Sequence, residues 1–162
     1  MALCTLLFTV QAKELAPEPV TGFDVKRYVG TWYEIARLDH WFEKNHERVA
    51  ITYTLMQDGG LRVKNESVVE GEAKESQGWM HFQGEKSLGS LKVSFFRPFY
   101  NPYIIFKLDP DYRYAFVAGE GSDYLWFLSR TKTVSKSLKQ DFIRDAKDYG
   151  FKIEDLIWVK HF

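Results

Sequence analysis

Glu34 and Arg37 stand in an otherwise apolar and aromatic stretch, GTWYEIAR over residues 30–37. A carboxylate turned into an apolar interior must find hydrogen-bond donors or take up a proton, because burying it charged and alone is costly. Other groups capable of chemistry are thinly spread. His40, His46, His81 and His161 include no two at the i, i+4 spacing that puts a pair of zinc ligands on one helix face. Cys4 is the one cysteine, so an intrachain disulfide and a cysteine-based metal site are both excluded. No Ser-His-Asp set, nucleophilic cysteine or carboxylate pair is visible. The chain is therefore read as a non-enzyme, with no cofactor and no metal.

The elements that must position Glu34 are legible from composition and periodicity. The chain has 162 residues, 45% hydrophobic and 17% aromatic, which suits one well-filled core and is short for two. Twenty-two basic residues balance 22 acidic ones, so no long-range field draws the protein to nucleic acid or an anionic membrane. Residues 1–12 read as a signal or leader segment: Ala2 to Val10 is an uncharged apolar run of h-region length, too short to span a bilayer, with a plausible cleavage point after Ala12. Residues 13–22, with two prolines, read as a linker, and the domain proper is expected over 23–162.

From residue 30 the dominant pattern is alternation. Val49, Ile51, Tyr53 and Leu55 repeat with a period of two, Gln57-Asp58-Gly59-Gly60 supplies a tight hairpin, and Leu61 and Val63 begin the return. Further strands are expected at 31–38, 79–83, 88–96, 103–109, 112–119 and 124–130. Eight strands on short turns predict an antiparallel up-and-down meander, and closing it into a barrel removes its edges. After Ser135 or Ser137, Leu138, Phe142, Ala146 and Tyr149 follow helical spacing, with Gly150 as a stop. The fold class is thus all-β, an eight-stranded antiparallel barrel carrying one C-terminal α-helix. Residues 155–160 are expected as a short ninth strand pairing with the first.

Three short motifs occur in order: Gly30-Thr31-Trp32, Asp109-Pro110-Asp111-Tyr112 and Ser129-Arg130. They resemble the three signatures of the lipocalin family. The runs LKVSFF, PFY, LDPDYRYA and YLWFLSRT are similar to its bacterial outer-membrane branch and the apolipoprotein D group. The resemblance covers about residues 23–160. It departs at Ser67 to Gly78, which is acidic and unmatched, and at the amino terminus. There Cys4, preceded only by Met-Ala-Leu, does not read as a lipobox cysteine.

In an up-and-down barrel the three motifs fall at one end, the closed one. Gly30, Trp32, Asp111, Tyr112 and Arg130 are accordingly assigned a structural role, with Arg130 lying across the Trp32 ring. Alternation from an inward Trp32 assigns to the interior Glu34, Ala36, Ile51, Tyr53, Val63, Met80, Phe82, Val93, Phe95, Tyr103, Ile105, Trp126 and Leu128. Arg37 is expected to face solvent. Glu34 is expected to bond a tyrosine hydroxyl, a water or a basic group such as Lys107, with direct ligand contact as the alternative. The open-end connections are 39–47, 68–78, 97–102 and 119–123. Their aromatics, Trp41, Phe42, Phe95 and Phe99, either fold down to plug the barrel or form a ligand gate, a membrane-touching rim or a homodimer contact.

An eight-stranded barrel is wide enough to be filled by its own side chains or to hold one small ligand. The resemblance implies a cavity, and a carrier of fatty acids or lysophospholipids in the bacterial cell envelope, periplasmic or outer-membrane-associated, that contributes to membrane maintenance. The competing readings are a protein-interaction or dimerisation module built on the aromatic mouth, and a lipocalin-type isomerase.

Overall fold

The computed structural model describes residues 16–162, so the expected leader lies outside the described residues. Nine strands form one antiparallel sheet. In chain order the elements are α1 (Val25–Tyr28), β1 (Gly30–Leu38), a 3-10 turn (Trp41–Glu43), β2 (His46–Leu55), β3 (Leu61–Val69), β4 (Glu72–Phe82) and β5 (Ser90–Phe96). They continue with β6 (Phe99–Leu108), β7 (Tyr114–Ala118), β8 (Leu125–Ser129), α2 (Lys136–Asp148), a second 3-10 turn (Ile153–Asp155) and β9 (Leu156–Trp158). Strands β2 to β8 pair with their neighbours in sequence, and β1 pairs with both β8 and β2, which closes the barrel. β9 adds to the far end of β1, Leu38 opposite Leu156, as the ninth strand expected from the sequence.

Local chemistry accounts for the clearest elements. The β2–β3 hairpin turns on Gly59, at φ +87°, and the Asp58 carboxylate accepts from the Gly60 amide at 2.9 Å. Helix α2 starts at Ser135, whose hydroxyl accepts from the Leu138 amide at 3.1 Å.

Two hydrophobic cores result. One fills the lower barrel around Trp32, Tyr53, Leu61, Met80, Leu91, Ile105 and Leu128. The other lies outside the barrel wall, where Phe142 and Ala146 of α2 cover Ile35, Ala36, Leu38, Phe116 and Phe127. Phe142 packs on Phe116 and Phe127 with ring centroids 4.9 Å apart in each case.

Two connections are shorter than the sequence suggested. Residues 68–78, expected as a loop, are mostly paired: Ser67 opposes Lys74 and Val69 opposes Glu72, leaving Glu70-Gly71 as the turn. The β4 arm of this hairpin, Glu72 to Gln77, is exposed on both faces, so the apolar alternation that marks a half-buried strand is missing there. Residues 97–102 likewise reduce to a two-residue turn, because Phe96 pairs with Phe99.

A register shift in β1 overturns two assignments. Glu34 opposes Leu128, but Ala36 opposes Phe127 and Arg37 opposes Trp126, leaving Ile35 as an extra residue. Such a bulge breaks the two-residue period. Ile35 and Ala36 both turn outward beneath α2, so Ala36 does not line the barrel. Arg37 turns inward and is buried, where strict alternation put it in solvent.

Candidate functional site

The floor of the barrel is built at the closed end. Gly30 adopts φ +103°, and a Cβ there would lie 3.1 Å from Arg130 Nη1, so glycine admits the guanidinium. Arg130 lies over the Trp32 ring with its Cζ 3.9 Å from the centroid. It donates to the carbonyls of Tyr112, Val29, Thr31, Arg27 and Tyr28 at 2.9–3.3 Å. The Trp32 indole N–H donates to Tyr28 O at 2.8 Å. Tyr112 is buried and its hydroxyl accepts from the Asp24 amide, whereas Asp111 is exposed. The carboxylate that matters in this turn is Asp109, buried and held by Arg113 Nε at 2.7 Å; those bonds keep its carboxyl below the usual range.

Above the floor three tyrosine hydroxyls meet. Tyr103 is bonded to Tyr28 at 2.6 Å and to Tyr53 at 2.7 Å, and burial raises all three phenols above their ordinary values. Tyr28, in the short helix before β1, was not foreseen. Ile51, Val63, Met80, Ile105 and Leu128 are buried around this level, with Phe82, Val93 and Trp126 packed partly exposed against them.

The next level is ionic. Arg37 Nη1 donates to Glu34 Oε1 at 3.1 Å and to His46 O at 3.3 Å, and Nη2 donates to Glu43 O at 2.8 Å. The Glu43 carboxylate reaches in from the 3-10 turn, 3.5 Å from Arg37 Nε, and accepts from the Trp126 indole at 3.2 Å. Burial drives the Glu34 carboxyl well above its usual range, reinforced by the neighbouring Glu43 charge, and burial also raises Glu43. Two carboxyls grouped around one guanidinium are thus both shifted towards the protonated acid. Lys107, a suggested partner of Glu34, instead faces outward, 4.0 Å from Asp145 of α2.

Near the mouth the inner wall opens. Asn65 and Ser76 oppose each other on the inner face, and Ser76 is exposed, so solvent reaches the upper barrel. Gly78 leaves room that the Phe95 ring covers: a Cβ there would sit 2.9 Å from Phe95 Cδ1. Asn65 Oδ1 is buried without a hydrogen-bond partner.

The mouth aromatics divide into two kinds. His40 is buried and stacks on Phe42 and Tyr124, at 5.0 and 4.5 Å, which folds the 3-10 turn against the β7–β8 connection. Burial lowers the His40 pKa, favouring the neutral ring. Trp41 meets Phe42 edge-on at 5.8 Å and is otherwise in water, 87% exposed. At the β5–β6 tip Phe96 and Phe99 stack on each other at 6.3 Å and are 77% and 68% exposed. Arg97 between them lies 3.7 Å from the Trp79 ring on the outer wall.

Two hollows among the described residues lie outside the barrel. One, about 560 Å³, is lined by Leu38, Asp39, Asp123, Lys152 and Leu156 among others, and one of about 550 Å³ separates the segment at Glu18–Gly22 from the closed end. Both are open and largely polar, which suits neither to an apolar ligand. Among the described residues no group of three or more His, Cys, Asp or Glu could hold a metal ion.

Tyr28, Arg37 and Glu43 line the interior without having been among the residues expected there from the sequence. Glu43 carried a usable signal: an acid two residues after a tryptophan in a mouth loop, facing a strand with an unmatched arginine.

Comparison with known proteins matches residues 23–161 to a family described as "Lipocalin-like domain". Outer membrane lipoprotein Blc of Citrobacter freundii is 48% identical over 143 residues, covering 87% of this chain and 81% of that one. Its namesake in Escherichia coli K12 is 45% identical over 99% of this chain and 94% of that one. Among solved structures, insecticyanin from the tobacco hornworm Manduca sexta superposes with a TM-score of 0.75 at 18% identity, over 91% of this chain and 86% of that one, a likeness of fold.

Proposed function

The chain belongs to the lipocalin family, and from that premise we propose that it binds a single-chain lipid, a fatty acid or a lysophospholipid, in the upper barrel. The observation that carries the reading is the gradient along the barrel axis. A dry apolar lower half passes through one ionic cluster to a wet mouth rimmed with exposed aromatics. Because side chains fill the lower half, the molecule that fits is one whose polar head meets the ionic cluster while its apolar chain runs up to the exposed aromatics of the rim. Burying ~10 methylenes at about 0.8 kcal/mol each gains roughly 8 kcal/mol, about micromolar binding before ordering costs.

The names of the bacterial relatives support a site of action in the cell envelope, at the periplasm or outer membrane, where such a protein would store or move lipids for membrane maintenance. The stacked Phe96 and Phe99 support contact of the mouth with a lipid surface, since among the described residues these rings stack on each other and still leave 77% and 68% of their surface in water. Mass spectrometry of lipid extracted from the purified protein, with titration of a fluorescent lysolipid analogue, tests the reading. Co-purifying monoacyl lipid is the expected result; an empty barrel that ignores the analogue would sink it.

One observation favours a second reading. Trp41 stands 87% exposed on a turn whose other large residues are packed, as an anchor for another protein or a second copy would. A concentration-dependent dimer that Trp41→Ala dissociates would support that reading, and a monomer at all concentrations would remove the homodimer.

A further inference from the structure

Arg37 is the one fully buried Lys or Arg among the described residues, yet its guanidinium is incompletely satisfied. Nη1 serves Glu34 and His46 O, and Nη2 serves the backbone carbonyl of Glu43. Nε has no hydrogen-bond acceptor, and neither has Glu43 Oε2 a donor, although the two face each other at 3.5 Å. One residue, Glu43, therefore covers the Nε–Nη2 edge of Arg37 with one loose carboxylate oxygen and its own carbonyl. A guanidinium edge is matched by a carboxylate that takes both N–H groups in parallel, and the strand and turn geometry denies Glu43 that approach.

The turn that carries Glu43 is short and lies at the barrel mouth, held there by the stack of His40 on Phe42 and Tyr124. It has three residues, no side-chain cap and an exposed Trp41 at its head. On the far side of the barrel from β1, Val93 of β5, packed on the core, and Phe95, partly exposed over Gly78, offer apolar surface to a chain whose head lies at Arg37.

We propose that the Nε–Nη2 edge of Arg37 is the receptor for the carboxylate of a fatty acid, and that Glu43 occupies it in place of that ligand. The proposal rests on the lipid-binding reading above. Entry of the ligand is an exchange: its carboxylate enters the buried cluster while the Glu43 carboxylate leaves for water, carrying the 3-10 turn outward. The count of buried charges is the same before and after, so the desolvation cost that normally opposes burying a carboxylate is offset by hydration of Glu43. Glu34 stays on Nη1 and keeps the guanidinium oriented. A neutral head of the same size cannot make the exchange, since it would leave Arg37 without the second carboxyl.

Laurate and 1-dodecanol, which share a chain and differ in the head, test this by calorimetric titration at pH 8. The wild-type protein is compared with Arg37→Met made together with Glu34→Gln and Glu43→Gln, so that neither carboxylate of the cluster is left unpaired in the wall. The expected result is that the laurate-to-dodecanol affinity ratio falls about tenfold or more in the variant, the loss of one charge-assisted contact, with dodecanol binding little changed. An unchanged ratio overturns the proposal. If the variant does not fold, the wild type answers alone by nuclear magnetic resonance. Laurate, and not dodecanol, shifts the Arg37 Nε–H signal and moves the Trp126 indole N–H away from its Glu43-bound position. Laurate binding that leaves both signals in place overturns the proposal, and so does binding of dodecanol without laurate, while lipid binding itself survives. Binding of neither overturns the lipid-binding reading, and this proposal with it.

Discussion

Arg130 spans the closed end of the barrel with its guanidinium 3.9 Å above the Trp32 ring, and five backbone carbonyls from two distant segments accept from its N–H groups. The residue ties the α1–β1 segment to the β6–β7 turn, so its contribution is to closure of the barrel. Arg130→Met should cost about 2 to 4 kcal/mol, because several half-buried acceptors lose a charged donor as the cation–aromatic contact goes. Arg130→Lys should recover only part of this, since an ammonium cannot reach both sides of the ring plane with a planar fork. Urea unfolding followed by tryptophan fluorescence reads both, and a fully stable lysine variant would contradict the account.

The Glu34–Glu43 pair sets a pH dependence of stability. Glu34 has its folded pKa raised above the ordinary 4.5, so between the two values the native state binds more protons than the unfolded one. Stability contributed by this group is complete below pH 4.5 and is lost as the pH rises towards the folded value, with a slope of at most about 1.4 kcal/mol per pH unit per proton. Glu34→Gln should flatten this decline and leave the protein relatively more stable at neutral pH. Asp109 acts in the opposite sense: its pKa is depressed by Arg113, and its contribution is lost as the pH falls through the depressed value. Thermal melts of the two proteins between pH 4 and 8 check the point, and parallel curves would refute it.

Phe142 holds α2 on the barrel through Phe116 and Phe127 and is completely buried. Phe142→Ala should destabilise by about 3 to 5 kcal/mol, the usual cost of truncating a buried phenylalanine. The core under α2 is separate from the barrel interior, so lipid affinity measured well below the melting temperature should be unaltered. A parallel loss of affinity would show that the two cores are coupled.

Phe96 and Phe99 contribute little to folding because they are mostly in water. Replacing both with serine should leave the unfolding midpoint unchanged within about 2 °C. Co-sedimentation with vesicles of phosphatidylethanolamine and phosphatidylcholine should fall severalfold if the β5–β6 tip dips into a lipid surface. Undiminished sedimentation would locate any membrane contact elsewhere.

How much of this could be read in the chain differs from element to element. The β2–β3 hairpin was plain because each strand has one buried face and the turn residues need unusual dihedral angles. The floor was plain because Gly30-Thr31-Trp32 and Ser129-Arg130 resemble signatures of the lipocalin family. The first part of β4 was not, since Glu72 to Gln77 are exposed on both faces and have no apolar face to reveal the pairing. Glu43 was not, because a side chain in a turn carries no periodicity.

By itself the amino-acid sequence determined the order of the strands and the face of α2 that packs, which follow from short-range patterns of apolar and turn residues, while the closed end of the barrel was marked by three motifs that resemble the lipocalin signatures. Tertiary structure alone decided which way Arg37 faces and what it meets. A single unpaired residue, Ile35, reverses the alternation after Glu34, and whether a strand takes such a bulge depends on its neighbours' register and not on its own residues. Once Arg37 is turned inward, a buried guanidinium requires carboxyls, and the fold brings the second of them, Glu43, from outside the strands.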